Sequence, residues 1–179
     1  MKNQSVISNI DWPTILVYIL LVGMGWMNIY SASLPLEQTS LLDLDQIFGK
    51  QLFFIILTIP IILIITNINA KVFEKFSFVF YALGIVLLLG LFVFGSTIKG
   101  QTNWYKLGGF GFQPSEVVKI SCSLLLAKFL SDSQTNISKP KYQYLSLGII
   151  LLPISLILLQ PDAGSAMIFL SLFFVLNRE

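Results

Sequence analysis

Long apolar runs separated by short polar connectors make up most of this chain, and six of them approach the roughly 20 residues needed to cross a bilayer as a helix. They fall at about 14–33, 51–66, 76–96, 114–130, 144–159 and 164–177. The first is too long for a signal peptide and is followed by no cleavage site of small residues. Pro60 falls inside the second run and predicts a kink, which lipid-embedded helices tolerate when neighbours satisfy the freed carbonyl. Pro114 opens the fourth, at a position where its missing N–H costs nothing. Between runs three and four lies the polar, glycine-rich "STIKGQTNWYKLGGFGF"; "SDSQTNISKPK" joins four to five, and "QPDAGSA" turns the chain from five into six. No soluble domain and no internal repeat interrupts the series. The pattern predicts an all-α fold: a polytopic transmembrane helix bundle of six membrane helices, with residues 1–179 forming a single integral membrane domain.

Composition supports this pattern. Only 11% of residues are charged, against roughly 25% in soluble domains, and mean hydropathy is +0.82. The charge balance, 11 basic against 9 acidic residues, contains no basic block of the kind that binds nucleic acid. With no histidine in the chain, Ser-His-Asp and Cys-His catalysis and histidine-ligated metals are excluded. The single cysteine, Cys122, closes no intrachain disulfide and reads as a small buried hydrophobe.

Basic residues are retained on the cytoplasmic side of a membrane, and their distribution over alternate connectors predicts a cytoplasmic N-terminus. Lys2, Lys71, Lys75, Lys128, Lys139, Lys141 and Arg178 then lie inside and Lys50, Lys99 and Lys106 outside, with Lys119 left uncounted as an intramembrane residue. Glu37, Asp43 and Asp45 in the first outer connector do not contradict this orientation.

Two polar clusters fall on the predicted outer side. In "GGFGFQPSEVVK", Glu116 and Lys119 stand three residues apart, hence about 60° apart on one helix face, where they can pair. A charge at the bilayer centre costs about 2.5–3.5 kcal/mol, so such residues normally face a bundle interior or a wet cavity. The competing reading is structural: Glu116 complements the helix N-terminus, and Lys119, only about 4–8 Å deep, snorkels outward. Gln113 and Ser115 crowd further hydrogen-bonding groups around the same helix end. In "LLQPDAGSAM", Asp162 reads either as an N-cap before a small-residue packing surface or, with Gln160, as part of a cavity shared with Glu116 and Lys119. Trp104 and Tyr105 in the preceding loop suit an interfacial aromatic belt or substrate stacking.

The segment "FGFQPSEVVKI", followed some forty residues later by "QPDAGSA", resembles the paired signatures of the SEDS family of bacterial cell-wall polymerases. The short N-terminus, "DWPTILVYILLVGMGWMNIYSAS" and "YKLGGFGFQPSE" are similar to its elongation branch, which maintains rod shape, rather than its division branch. Two positions depart from the family pattern: Asn103 stands where an arginine is frequent, which discounts the loop as a binding element, and "QPDAGSA" replaces the commoner "QPDLGTA".

The resemblance implies a bundle of about ten helices and a peptidoglycan glycosyltransferase that polymerises lipid II at the outer face of the bacterial inner membrane. The acceptor sugar hydroxyl attacks the anomeric carbon and the polyprenyl diphosphate leaves, so the site needs a base and positive charge at the leaving group. On this reading Lys119 meets the leaving group, Glu116 orients Lys119 or holds an acceptor hydroxyl, and Asp162 orients groups across the cavity. Gln113, Ser115, Gln160 and Trp104 are the substrate-binding candidates. The main catalytic aspartate is expected beyond residue 179, which makes this chain an N-terminal part, inactive alone. A divalent cation sharing the diphosphate charge is an option, although no metal-ligand spacing is present. The implied partners are a class B penicillin-binding transpeptidase and other membrane proteins of the elongation complex. A lipid-linked precursor flippase and a non-catalytic membrane scaffold are the alternative functions.

Overall fold

The structure, a computed structural model, describes residues 11–33, 41–98, 100–107, 110–132 and 139–176. Lys2, Glu37, Lys99 and Arg178, which entered the charge count, lie outside the described residues. Among the described residues six helices form: α1 (Trp12–Ala32), α2 (Ile47–Asn67), α3 (Ala70–Phe94), α4 (Pro114–Ser131), α5 (Pro140–Leu158) and α6 (Ala163–Leu176). α3 begins at Ala70 rather than near Phe76, because the Asn69 side chain caps it by accepting from the Lys71 N–H. The charged residues Lys71, Glu74 and Lys75 therefore belong to the helix and not to a connector.

Four helices, α1, α2, α3 and α5, are long and apolar enough to cross a membrane, so the protein is a multi-pass membrane protein. α4 has 18 residues but carries Glu116, Lys119 and Lys128, and α6 has 14 residues, about 21 Å of helix.

The chain divides into two compact units after Asn67. In the first, α1 and α2 are apolar on all sides, as expected of helices solvated by lipid. They are joined where the Trp26 indole N–H donates to the Phe48 carbonyl at 3.1 Å and Tyr30 packs edge-on against the buried Phe48 ring. Gly49 sits against the backbone of Asp43, too close for any Cβ.

The second unit contains α3 to α6 around a core of Tyr81, Leu88, Leu91, Val118, Cys122, Leu126, Ile150, Ile154, Ile157, Ala166 and Phe169. Close approach of α3 and α4 depends on Gly84, where a Cβ would lie 2.8 Å from the Cγ2 of the stiff, fully buried Val118. Pro153, inside α5, cannot donate to the carbonyl of Ile149 four residues earlier. That carbonyl instead accepts from the Tyr81 hydroxyl at 2.8 Å and the Cys122 thiol at 3.5 Å. Three helices thus meet on one carbonyl that a proline has freed.

The fold is a helix bundle as expected, and the connector between α3 and α4, polar and glycine-rich in sequence, forms a small antiparallel sheet of β1 (Ser96–Ile98), β2 (Gln101–Leu107) and β3 (Phe110–Phe112), in the order β1-β2-β3. Gly100, at φ +82°, makes the turn into β2, and Tyr105, Lys106 and Leu107 pair with Phe112, Gly111 and Phe110.

The three-helix junction predicts a specific coupling. Tyr81→Phe should destabilise the protein by about 1 kcal/mol, the usual worth of one internal hydrogen bond. In a Pro153→Ala background, where the substituted residue supplies the missing N–H, the same change should cost markedly less, as measured by a double-mutant cycle of thermal unfolding in detergent. An equal cost in both backgrounds would show that Tyr81 does not serve the freed carbonyl.

Candidate functional site

The site is assembled at the end of the second unit where the sheet, the start of α4 and the α5–α6 corner meet. Asp162 is the N-cap of α6: its Oδ1 accepts the Ser165 N–H at 3.0 Å, and its backbone carbonyl accepts the first helical N–H from Ala166. The structural reading of Asp162 as a cap is therefore correct, but it accounts for only one carboxylate oxygen. Oδ2 accepts three more hydrogen bonds, from Asn103 Nδ2 at 2.6 Å, Ser165 Oγ at 2.7 Å and Gln113 Nε2 at 3.2 Å. Gln113 Nε2 also reaches Ser165 Oγ at 3.5 Å. Asn103, Ser165 and Asp162 are all buried.

Burial alone pushes the Asp162 carboxyl pKa up. The bonds from the Ser165 N–H and hydroxyl, then from Asn103 and Gln113, outweigh burial and hold it below the ordinary carboxylate range.

β2 delivers Asn103 through alternation. Asn103 and Tyr105 turn towards the bundle, where the Tyr105 hydroxyl donates to the Leu87 carbonyl of α3 at 2.8 Å, while Trp104 lies over Gly111 of β3. A Cβ at Gly111 would meet that indole at 2.9 Å, and one at Gly90 would strike the Tyr105 hydroxyl oxygen, so two glycines make room for the two rings. The Asn103 amide also donates to Gln101 Oε1 at 3.2 Å, and its own Oδ1 is buried without a donor among the described residues.

The remaining candidates separate into two groups. Glu116 and Lys119 form the ion pair expected from their spacing, at 2.7 Å. Glu116 is 59% exposed and Lys119 21%, and Lys119 lines a groove of about 80 Å³ between α4 and α6, with Ser123, Ile168, Phe169, Ser171 and Leu172. Among the described residues, no hydrogen bond joins this pair to Asp162. Gln160 and Ser115 are buried: the Gln160 amide donates to the Leu88 carbonyl of α3 at 2.9 Å, and the Ser115 hydroxyl finds no partner among the described residues. Gln160 is thus a brace between the α5–α6 corner and α3.

Sequence reasoning missed Asn103 and Ser165. Ser165 carried a usable signal, since it stands three residues after an N-cap aspartate, the spacing of a capping box. Asn103 carried none: its 59-residue separation from Asp162 is bridged only by the fold.

Comparison with known proteins agrees with this architecture. The sequence model for the FtsW/RodA/SpoVE family, described as cell cycle protein, matches residues 11–177. The chain is 31% identical over 172 residues to the peptidoglycan glycosyltransferase RodA of Treponema pallidum, covering 95% of this chain and 38% of that protein. It is similar to the solved rod shape determining protein RodA of Thermus thermophilus, with 25% identity and a TM-score of 0.77 over 90% of this chain and 50% of that one. A chain from a peptidoglycan synthase complex, solved to explain the structural coordination of polymerization and crosslinking, matches with 26% identity and a TM-score of 0.77, over 90% of this chain and 45% of that one. The chain therefore spans about half or less of the length of these relatives.

The depressed Asp162 pKa sets the sign of a pH effect. An ionised carboxylate favoured by folding contributes stability above its unfolded pKa of about 3.9, and that contribution is lost as pH falls through the lower folded value. Asp162→Asn should therefore lower the melting temperature at pH 7, and the gap from wild type should narrow below about pH 4. A gap that is constant between pH 7 and pH 3 would mean that the charge of Asp162 is not what the four donors stabilise.

Proposed function

This chain belongs to the FtsW/RodA/SpoVE family, and we propose on that premise that it supplies part of the lipid-facing site of a peptidoglycan glycosyltransferase that lengthens glycan strands from lipid II during cell elongation. The observation that carries the reading is the Glu116–Lys119 pair, with the lysine on a groove between two helices of a membrane protein. An ammonium group there can stabilise the negative charge that develops on a departing diphosphate. Glu116 holds that cation oriented, and Gln113 and Asp162 keep the helix ends in register. Trp104, half-buried over Gly111, suits contact with a sugar face at the rim. At about 80 Å³ the groove is far smaller than the roughly 300 Å³ of an ordinary ligand pocket, which suits one wall of a site, next to a few charged atoms, rather than a complete one. The base that deprotonates the acceptor hydroxyl is not among these residues.

No resident divalent cation belongs to this reading. Both oxygens of Asp162 already accept hydrogen bonds, and Glu116 is engaged by an ammonium of opposite charge, so neither carboxylate suits a metal. A penicillin-binding transpeptidase is the partner that fits, because a similar chain works within a complex that couples polymerization to crosslinking. The proposed setting is the bacterial inner membrane, with the N-terminus cytoplasmic and the sheet on the outer side, as the distribution of basic residues supports.

Two measurements test this. A cysteine placed at Gln101 should react with an impermeant thiol reagent in intact cells; protection until lysis would reverse the orientation. In the complete polymerase, Glu116→Gln and Lys119→Met should each leave membrane levels normal and cut glycan-strand formation from lipid II about a hundredfold, the loss expected for a positioned electrostatic group. Near-normal polymerisation by both would reduce the pair to a helix cap with a snorkelling partner.

A further inference from the structure

We infer that Asn103, Gln113 and Ser165 are positioning residues, which act through the Asp162 carboxylate to set where the Lys119 ammonium stands in the groove between α4 and α6. The inference rests on the role proposed above for Lys119.

The chain passes from β3, which ends at Phe112, through Gln113 directly into α4 at Pro114. Gln113 is the N-cap of α4, yet its side chain makes no capping bond to its own helix. Its amide instead crosses to Asp162 Oδ2 and Ser165 Oγ, and so ties the start of α4 to the start of α6. Lys119 lies about 9 Å further along α4, where it and Ser123 face Ile168, Phe169, Ser171 and Leu172 of α6. With the two helix starts tied together, the width of the groove beside Lys119 follows from that tether. If the tether is released, α4 can tilt or slide, and the ammonium moves with it.

Capping α6 requires only the Ser165 N–H on Oδ1. The three side-chain donors all converge on the other oxygen and come from three segments, β2, the α4 cap and α6. Asn103 shows how strongly this convergence is favoured. Its amide is oriented to serve the carboxylate although its Oδ1 is thereby buried without a donor, an arrangement that native structures rarely tolerate. Tyr105 already anchors β2 to α3, so the Asn103 bond is not needed merely to hold the sheet against the bundle.

The test places a cysteine at the reporting position. The rate at which a small thiol reagent labels Lys119→Cys in membranes should change at least threefold when Asn103→Leu or Ser165→Ala is added, with the buried Cys122 as low background. In the complete polymerase, with Lys119 intact, Asn103→Leu should lower kcat for glycan-strand formation by ten- to a hundredfold with KM within about twofold, because a displacement of about 1 Å can cost two orders of magnitude. Ser165→Ala, which leaves the backbone cap in place, should give a smaller loss in the same direction. An unchanged labelling rate in both backgrounds overturns the proposal, as does loss of both variants from the membrane, which would make the cluster a folding device. If the complete polymerase without substitutions polymerises nothing, the glycosyltransferase reading fails, while the labelling rates still decide whether these residues position residue 119.

Discussion

A single carboxylate oxygen, Oδ2 of Asp162, accepts hydrogen bonds from a strand, from the cap of one helix and from the first turn of another. A buried carboxylate must find such donors, because removal from water without compensation costs far more than a folded protein can spare. Among the described residues Asp162 meets that requirement without a salt bridge, using four neutral donors. The two Ser165 donors are local to the first turn of α6, but Asn103 and Gln113 come from places that only the folded second unit brings near, so the demand of one charge ties the sheet and the start of α4 to α6. The lowered pKa is the electrostatic expression of the same geometry.

A related constraint governs the helices. In a low-dielectric setting every backbone carbonyl needs a donor, and a proline inside a helix removes one. Ile149 shows the solution: the carbonyl freed by Pro153 accepts from Tyr81 on α3 and Cys122 on α4, which converts a local defect into a tie among three helices. Gln160 and Tyr105 use the second lone pairs of the neighbouring carbonyls of Leu88 and Leu87 in a similar way, and fasten the α5–α6 corner and β2 to the same stretch of α3. Gly84 then allows α3 to approach Val118 of α4 closely enough for these bonds to form beside an apolar core.

These ties separate two tasks within one cluster of polar residues. Asp162, Gln160, Asn103 and Ser165 are buried and engaged with the protein itself, whereas Glu116 is exposed and Lys119 borders a groove. Buried, engaged side chains suit the holding of geometry, and the accessible ion pair suits contact with a charged group. A buried anchor at Asp162 and an accessible ion pair at Glu116 and Lys119 are linked through α4 and its cap Gln113.

Apolar run length and proline position were enough to locate the helices within a few residues, because both act locally: an uninterrupted apolar segment in a membrane has only its own backbone to satisfy it. The Glu116–Lys119 pair was legible for the same reason, since three residues of helix determine the contact. The sheet was not, because glycine and polar residues in a connector do not reveal strand pairing until the partner strand is placed. Nor could the sequence distinguish Asp162 as a simple cap from Asp162 as an acceptor for Asn103 and Gln113, separated from it by 59 and 49 residues. Local chemistry determined the helices, their charged pair and the N-cap; only tertiary structure decided which distant donors a buried carboxylate would gather, because that choice depends on packing that brings remote segments within hydrogen-bonding distance.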